Sequence, residues 1–339
     1  MSAAGSTWQI DADAAALHAD AVVWDQHGCL PLRPDSDAVD DLELYRRAGV
    51  DAVSVNVGFD LTPALDTIKV LAAFRNGVLS RPDRYVLAST AADVARAKDT
   101  GRLCVAFDLE GTEPLDGQLD LVQMYYELGV RTMLFAYNLP NRAAGGCHGD
   151  PAQGLTRFGK SVLREMNRVG MIVDATHCSA RTTFDLFALS TSPVIFSHSV
   201  PQGVRRHDRN ITDEQMRACA ATGGVVGING VGIFLGENDA STAALVRAIE
   251  YAVDVVGHEH VGLGLDYVFD QDELNAYLAG NRHTFPPGSG YGDYATHEFA
   301  SPTQLPEVTE ALLRRGHPAD AVRAIVGGNF LRVAKQVWL

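Results

Sequence analysis

A (β/α)8 barrel, the TIM barrel of the α/β class, is the fold this sequence predicts, on three observations. Eight short apolar runs recur along the chain, amphipathic stretches of helical period separate them, and histidines and carboxylates stand at the carboxyl ends of the runs. The runs lie near 21–27, 51–57, 103–110, 130–137, 171–177, 193–198, 224–229 and 260–266. They are rich in Val, Ile and Phe and mostly apolar on both faces, the pattern of strands buried in a parallel sheet. Between His177 and Pro193 the chain is just long enough for one helical crossover.

The helical stretches follow in order at 38–48, 119–128, 158–169 and 212–222, and two more near 304–315 and 318–336 close the barrel. Thr212 with Gln215 has the spacing of a capping box, and Thr156 stands where it can cap the helix carrying Arg164 and Glu165. A doubly wound sheet is the rival architecture. It rarely runs to eight parallel strands without a Gly-rich nucleotide turn after the first, and no such turn follows residues 21–27. There is no internal repeat, so residues 1–339 read as a single domain. Two stretches are irregular: 139–155, rich in Gly, Pro and Asn, and 267–303, which includes Pro286-Pro-Gly-Ser-Gly-Tyr-Gly-Asp293. Both leave the carboxyl ends of strands, and loops of such length in a compact domain are usually lids or binding loops. The second is expected to lie over the active site.

A formal charge of −14 argues against a nucleic-acid or anionic-membrane partner, which needs a basic face, and leaves a small molecule as the expected partner. The 5 cysteines are scattered and show no Cys-x-x-Cys spacing, which fits a reducing compartment. The first residues carry neither a basic nor an apolar leader segment, and no apolar run approaches the length of a membrane span. A cytoplasmic protein is the expectation.

The chemistry concentrates on strand ends. His27, Glu110, His177 and His198 close the first, third, fifth and sixth runs, and Asp266 closes the eighth. In a closed barrel these ends converge on one mouth. Imidazole and carboxylate are the ligands of zinc and similar ions, and Glu110 has two oxygens with which to bridge a pair of them. Metal-bound water is acidic enough to supply hydroxide near neutral pH, and Asp266 would shuttle the proton. A lone strand-end histidine is more often structural, but four ligand candidates plus an acid on strand ends form a pattern.

The residues around these ends resemble the membrane dipeptidase (renal dipeptidase, peptidase family M19) family within the amidohydrolase-like barrels. The similarity runs over nearly the whole chain: Asp25-Gln-His-Gly-Cys-Leu-Pro-Leu32, Glu110-Gly111, Gly129-Val-Arg131, Leu155-Thr-Arg-Phe-Gly-Lys160 and Glu165-Met-Asn-Arg-Val-Gly-Met-Ile-Val-Asp174. It continues through His177-Cys-Ser179, Pro193-Val-Ile-Phe-Ser-His-Ser199, Arg209-Asn-Ile211, His260-Val-Gly-Leu-Gly-Leu-Asp266 and Gly327-Gly-Asn-Phe-Leu-Arg332. The resemblance implies a two-zinc site bridged by Glu110, with His177 and His198 on one ion and His27 on the other. It also implies that Asp266 handles the proton of the leaving amine and that Arg209 pairs with the substrate carboxylate. Without the resemblance, Arg209 beside Arg205 and Arg206 reads as a solvated loop arginine.

Two departures from the family pattern bear on the site. Cys29 stands where the family has the aspartate of a His-x-Asp motif, so it is either a thiolate ligand or an inert buried cysteine, and the centre holds one or two zinc ions. Tyr137 stands where the family usually has a histidine that stabilises the tetrahedral intermediate, a role a hydroxyl can fill as a neutral donor. His148, after the fourth run, is a further candidate, whereas His207, His258, His260, His283 and His297 are expected to be non-ligands.

The resulting expectation is a metal-dependent hydrolase of the dipeptidase type, acting on a dipeptide or an N-acyl amino acid and dimeric like other barrels of the family. The alternatives are a one-metal relative acting on another amide, a lactone or a decarboxylation substrate, and a non-catalytic metal-binding barrel.

Overall fold

The computed structural model describes residues 8–286, 288–291 and 296–339. Pro287 and residues 292–295, within the Pro/Gly-rich stretch singled out above, lie outside the described residues. The strands are β1 (Trp24–Cys29), β2 (Ala52–Phe59), β3 (Tyr85–Leu87), β4 (Leu103–Glu110) and β5 (Val130–Leu134), followed by β6 (Ile172–Asp174), β7 (Val194–Ser199), β8 (Val226–Ile228), β9 (Val261–Leu263) and β10 (Tyr267–Val268). All pairings between them are parallel, in the order β10-β1-β2-β4-β5-β6-β7-β8-β9.

The sheet closes on itself through one segment. β9 pairs with β8, and four residues later β10 pairs with β1, Gly28 opposite Tyr267. Between the two pairings the Gly264 amide still donates to Ile228 O, while the Asp266 amide already donates to His27 O at 2.9 Å. Residues 261–268 therefore act as one bent strand that changes partner midway, which brings Asp266 to His27. The predicted barrel strand at 260–266 is this segment.

Helices α1 (Ala12–Asp20), α2 (Glu43–Arg47), α3 (Ala64–Leu79), α4 (Ala91–Asp99), α5 (Asp120–Glu127), α6 (Arg157–Val169) and α7 (Ala180–Leu189) alternate with the strands. They are followed by α8 (Asp213–Ala221), α9 (Gly232–Leu235), α10 (Thr242–Val256), α11 (Gln271–Gly280), α12 (Leu305–Arg314), α13 (Ala319–Arg323) and α14 (Asn329–Val337). The expected caps are present: Thr156 accepts from Gly159 N, and Thr212 with Gln215 forms a capping box. The core is nearly continuous from the barrel interior to the helix shell. α14 plugs the bottom, with Phe330 and Trp338 against Trp24 at ring distances of 6.4 and 5.6 Å. Among the described residues no helix is long and apolar enough to cross a membrane.

Three expectations need correction. The stretch 38–48 is a tight 3-10 turn at Ala38–Leu42 running into the short α2. The stretch 267–303 is less irregular than its composition suggests, because it contains α11, capped by Asp270 accepting from Glu273 N. Averaging over neighbouring Gly and Pro hides that helical segment. β3 was not anticipated: three residues are too few to show a period, and it pairs with the first half of β4, below the point where β5 joins.

Candidate metal centre

The predicted ligands meet at the barrel mouth. Glu110 Oε1 lies 3.3 Å from His177 Nε2, 3.3 Å from His198 Nε2 and 3.5 Å from His27 Nε2, and the Nε2 atoms of His177 and His198 are 3.1 Å apart. The His27 and His198 rings stack at 4.0 Å. Around the same His27 Nε2, Cys29 Sγ stands 3.5 Å from that nitrogen and 3.6 Å from Asp266 Oδ1, which itself lies 3.7 Å from His27 Nε2. His27 and His198 have no exposed surface, and Glu110 is 7% exposed.

Backbone geometry delivers these side chains. β6 ends at Asp174, whose Oδ1 accepts from Thr176 N at 2.9 Å and Ser197 N at 3.1 Å. One buried carboxylate thus fixes the residues immediately before both His177 and His198. His177 then turns with φ 63°, and Asn138 and Asp266 each have φ 58°. Left-handed backbone at three non-glycine residues in one site is strain that the surrounding structure must hold in place.

Each imidazole is oriented through its other nitrogen. Asn138 Oδ1, an acceptor only, is 2.7 Å from His177 Nδ1, so the proton sits on Nδ1 and the Nε2 lone pair faces the centre. Ser197 Oγ is 2.7 Å from His198 Nδ1, and Asp108 Oδ1 is 3.2 Å from His27 Nδ1. Asp108 is held in turn by Ser54 Oγ and Asn56 Nδ2. Asn229 Nδ2 donates to Asp266 Oδ2 at 2.9 Å. Such outer partners fix the tautomer and direction of a metal-binding histidine.

The electrostatics have one physical sense. Burial, aided by Arg209 and His27, pushes the pKa values of His177 and His198 well down, so both rings are neutral. Burial and the neighbouring Asp266 and Asp108 push Glu110 up to about 8, against the pull of His27. At His27, burial acts downward but is outweighed by Asp108, Cys29 and Glu110, which hold the imidazole above its usual range. Burial likewise pushes the Cys29 thiol up to about 12. The Nε2 atoms of His177 and His198, 3.1 Å apart and each 3.3 Å from one Glu110 oxygen, are close enough to share one proton or cation, and the acids around His27 favour positive charge there. This donor set of imidazole, carboxylate and thiol fits a zinc-like cation.

The other predicted residues fall around this cluster. Tyr137 lies ring against ring with His177 at 4.4 Å, and its amide donates to Asp60 Oδ2 at 2.7 Å. Arg209 is no solvated loop arginine. It is 3% exposed, donates to His198 O at 2.8 Å and Ser199 Oγ at 3.4 Å, and lies 5.8 Å from the ring of Phe234. Its Nε has no partner, and among the described residues no carboxylate forms an ion pair with it. His148 is not brought to the cluster; its Nε2 pairs with Tyr291 OH at 2.8 Å.

A cavity of about 510 Å³ opens above the centre, reaching Cys29, Glu110, Tyr137, His177 and Asp266 and roofed in part by Leu274, Tyr277 and Leu278 of α11. Asp108, Asn138, Asp174, Ser197 and Asn229 were not anticipated. Asp108 was within reach, since residues two apart in a strand share a face and Glu110 points into the barrel. The others act across sequence distances that no local pattern shows.

Comparisons with known proteins bear on the family and the fold. The family model for membrane dipeptidase (peptidase family M19) matches residues 16–275. A Klebsiella pneumoniae protein encoded in the pqqA 5′ region is 30% identical over 281 residues, covering 79% of this chain and 94% of its own length. The dipeptidase aclJ of Aspergillus oryzae is 29% identical over 279 residues, 80% of this chain; the match spans 61% of that protein's length. The crystal structure of an amidohydrolase from Pseudomonas aeruginosa superposes with a TM-score of 0.84 at 27% identity, over 96% of this chain and 99% of the other. Fold and site thus define an amidohydrolase-like barrel, a metal-dependent hydrolase. The chain belongs to the membrane dipeptidase family.

Proposed function

We propose that this protein hydrolyses a small amide bearing a free carboxylate, a dipeptide or an N-acyl amino acid, with zinc as its metal. The observation that carries the reading is the convergence of three imidazole Nε2 atoms on one oxygen of Glu110. His177, His198, Glu110 and His27, with Cys29 as thiolate, are the residues that would hold the metal. A bound metal supplies a Lewis acid for the amide carbonyl and acidifies water into a nucleophile.

The chain's own groups do the rest. Asp266, steadied at Oδ2 by Asn229, accepts the proton of the attacking water at Oδ1 and returns it to the departing nitrogen. Tyr137, fixed by its amide contact to Asp60 and by the His177 ring, stands beside the reacting carbonyl to steady its developing negative charge. Arg209 takes the substrate carboxylate. A buried guanidinium with no counter-anion among the described residues and an unused Nε donor is costly by itself, and a bidentate carboxylate removes that cost. The reading includes a cytoplasmic homodimer; the five cysteines, none in a disulfide, suit that compartment, and light scattering checks the dimer.

The test is turnover of a panel of dipeptides and N-acyl amino acids with zinc, manganese or cobalt supplied. Release of a free amino acid is the expected result, and no turnover with any of the metals sinks the reading. Cys29 in place of a carboxylate favours one second reading, a single-metal relative with a non-peptide substrate. Lactones and carboxylates prone to decarboxylation, assayed in the same panel, separate the two.

A further inference from the structure

The cavity has an ordered wall of which the proposed chemistry uses only Tyr137. Six aromatic rings run in unbroken succession along it: Phe234 to Tyr291 at 5.9 Å, Tyr291 to Phe285 at 5.0 Å, Phe285 to Tyr137 at 6.2 Å, Tyr137 to Phe59 at 5.1 Å and Phe59 to Tyr277 at 5.2 Å. The belt starts over the buried guanidinium of Arg209, passes His177 at Tyr137, and ends on α11. Arg209 touches the belt through Phe234 and is not among the residues lining the cavity; on the reading above, the belt runs from its side of the site past the reacting centre to the apolar end.

At the apolar end the lining adds Leu61, Leu274 and Leu278. The charged side chains that reach the cavity there, two cations and three acids, pair with one another while staying partly exposed. Arg33 pairs with Glu273 at 2.5 Å and with Asp270 at 3.7 Å, and Lys69 pairs with Asp66 at 2.8 Å. These pairs keep much of their surface in solvent, whereas an apolar group would bury surface against aromatic faces.

We propose that the substrate's acyl side, the part beyond the scissile amide from the carboxylate, is a bulky uncharged apolar group, aromatic or a medium-length aliphatic chain. The Phe59–Tyr277–Leu274 end of the cavity is its specificity pocket. This rests on the reading above for orientation, with the carboxylate at Arg209 and the amide beside His177. The whole cavity, at about 510 Å³, falls within the roughly 300–1,000 Å³ of sites that take small ligands of this kind.

The experiment uses zinc-loaded full-length protein and an acyl series on one amino acid: N-acetyl-, N-hexanoyl-, N-octanoyl- and N-phenylacetyl-alanine. Both kcat/KM and the calorimetric dissociation constant are measured. The octanoyl and phenylacetyl compounds are expected to exceed the acetyl compound by roughly 100-fold or more in kcat/KM, since each added methylene in an apolar pocket is worth about tenfold or more. Tyr277→Ala and Leu274→Ala are each expected to cut that ratio about tenfold. A flat series, a preference for the acetyl compound, or a ratio untouched by both substitutions overturns the proposal. If nothing is hydrolysed but binding still rises along the series, the hydrolytic reading fails and the pocket stands. Binding of none of the four overturns the pocket.

Discussion

At the scale of single residues, the site is built from groups whose partners leave them one role each. Asp266 is held at Oδ2 by Asn229 and presents Oδ1 to His27 and Cys29. Asp266→Asn keeps the shape and loses the base, so kcat is expected to fall about 10²- to 10⁴-fold with metal content unchanged, as steady-state kinetics and elemental analysis will show. Arg209→Lys keeps the charge but loses the planar fork. A drop of about 10–100-fold in kcat/KM is expected for a carboxylate substrate, and little change for its carboxamide analogue. His27, Glu110, His177, His198 and Asp266 were legible in the sequence because each stands at the end of an apolar run. Arg209 was legible only through family resemblance, since nothing local distinguishes a buried arginine from its exposed neighbours Arg205 and Arg206. The left-handed backbone at Asn138, His177 and Asp266 left only a weak local signal, the tolerance of Asn, His and Asp for that region, because tertiary contacts impose it.

At the scale of elements, glycine sets how closely the strands approach one another behind the ligands. A Cβ at Gly227 on β8, or at Gly264 just past β9, would collide with the carbonyl oxygen of Ser197. Ser197 is the residue whose hydroxyl meets His198 Nδ1. Gly264→Ala is therefore expected to lower stability by about 1–3 kcal/mol in urea titration and to weaken zinc binding with it. A loss of stability with zinc affinity untouched would show that this packing does not position His198. Helix α8 carries an independent check. Thr212→Ala removes one arm of its capping box and is expected to cost about 1 kcal/mol with no effect on kcat. The strand–helix alternation and these caps were readable from periodicity and capping chemistry. Helix α11 was not, because its Gly- and Pro-rich surroundings masked ten helical residues.

At the scale of the whole molecule, the chain is one sheet closed through residues 261–268 and held at its rim by buried polar contacts. His18 on α1 joins distant segments, with Nε2 donating to Ala48 O at 2.9 Å and Nδ1 paired with Thr309 Oγ1 at 2.7 Å. Burial lowers its pKa from 6.5 to about 4. The folded protein thus holds this imidazole neutral where the unfolded chain would already bind a proton. Stability from this group is complete above about pH 6.5 and is lost as the pH falls toward 4, by at most about 1.4 kcal/mol per unit. Urea unfolding of wild type and His18→Gln across that window should show the steeper slope in the wild type. Closure of the barrel was legible from the count of runs; the switch of one strand between two partners was not, because pairing is a property of the folded ring. The central claim, that three histidines and Glu110 form a metal centre that hydrolyses amides, is tested most directly by zinc content and amide turnover measured on the same samples. These are wild type and the His177→Ala/His198→Ala double variant, each loaded with zinc and desalted. The account predicts that the wild type retains zinc in whole-number ratio with turnover proportional to it, and that the variant loses both. Equal zinc retention by the variant, or full turnover by wild type stripped of metal, would contradict it.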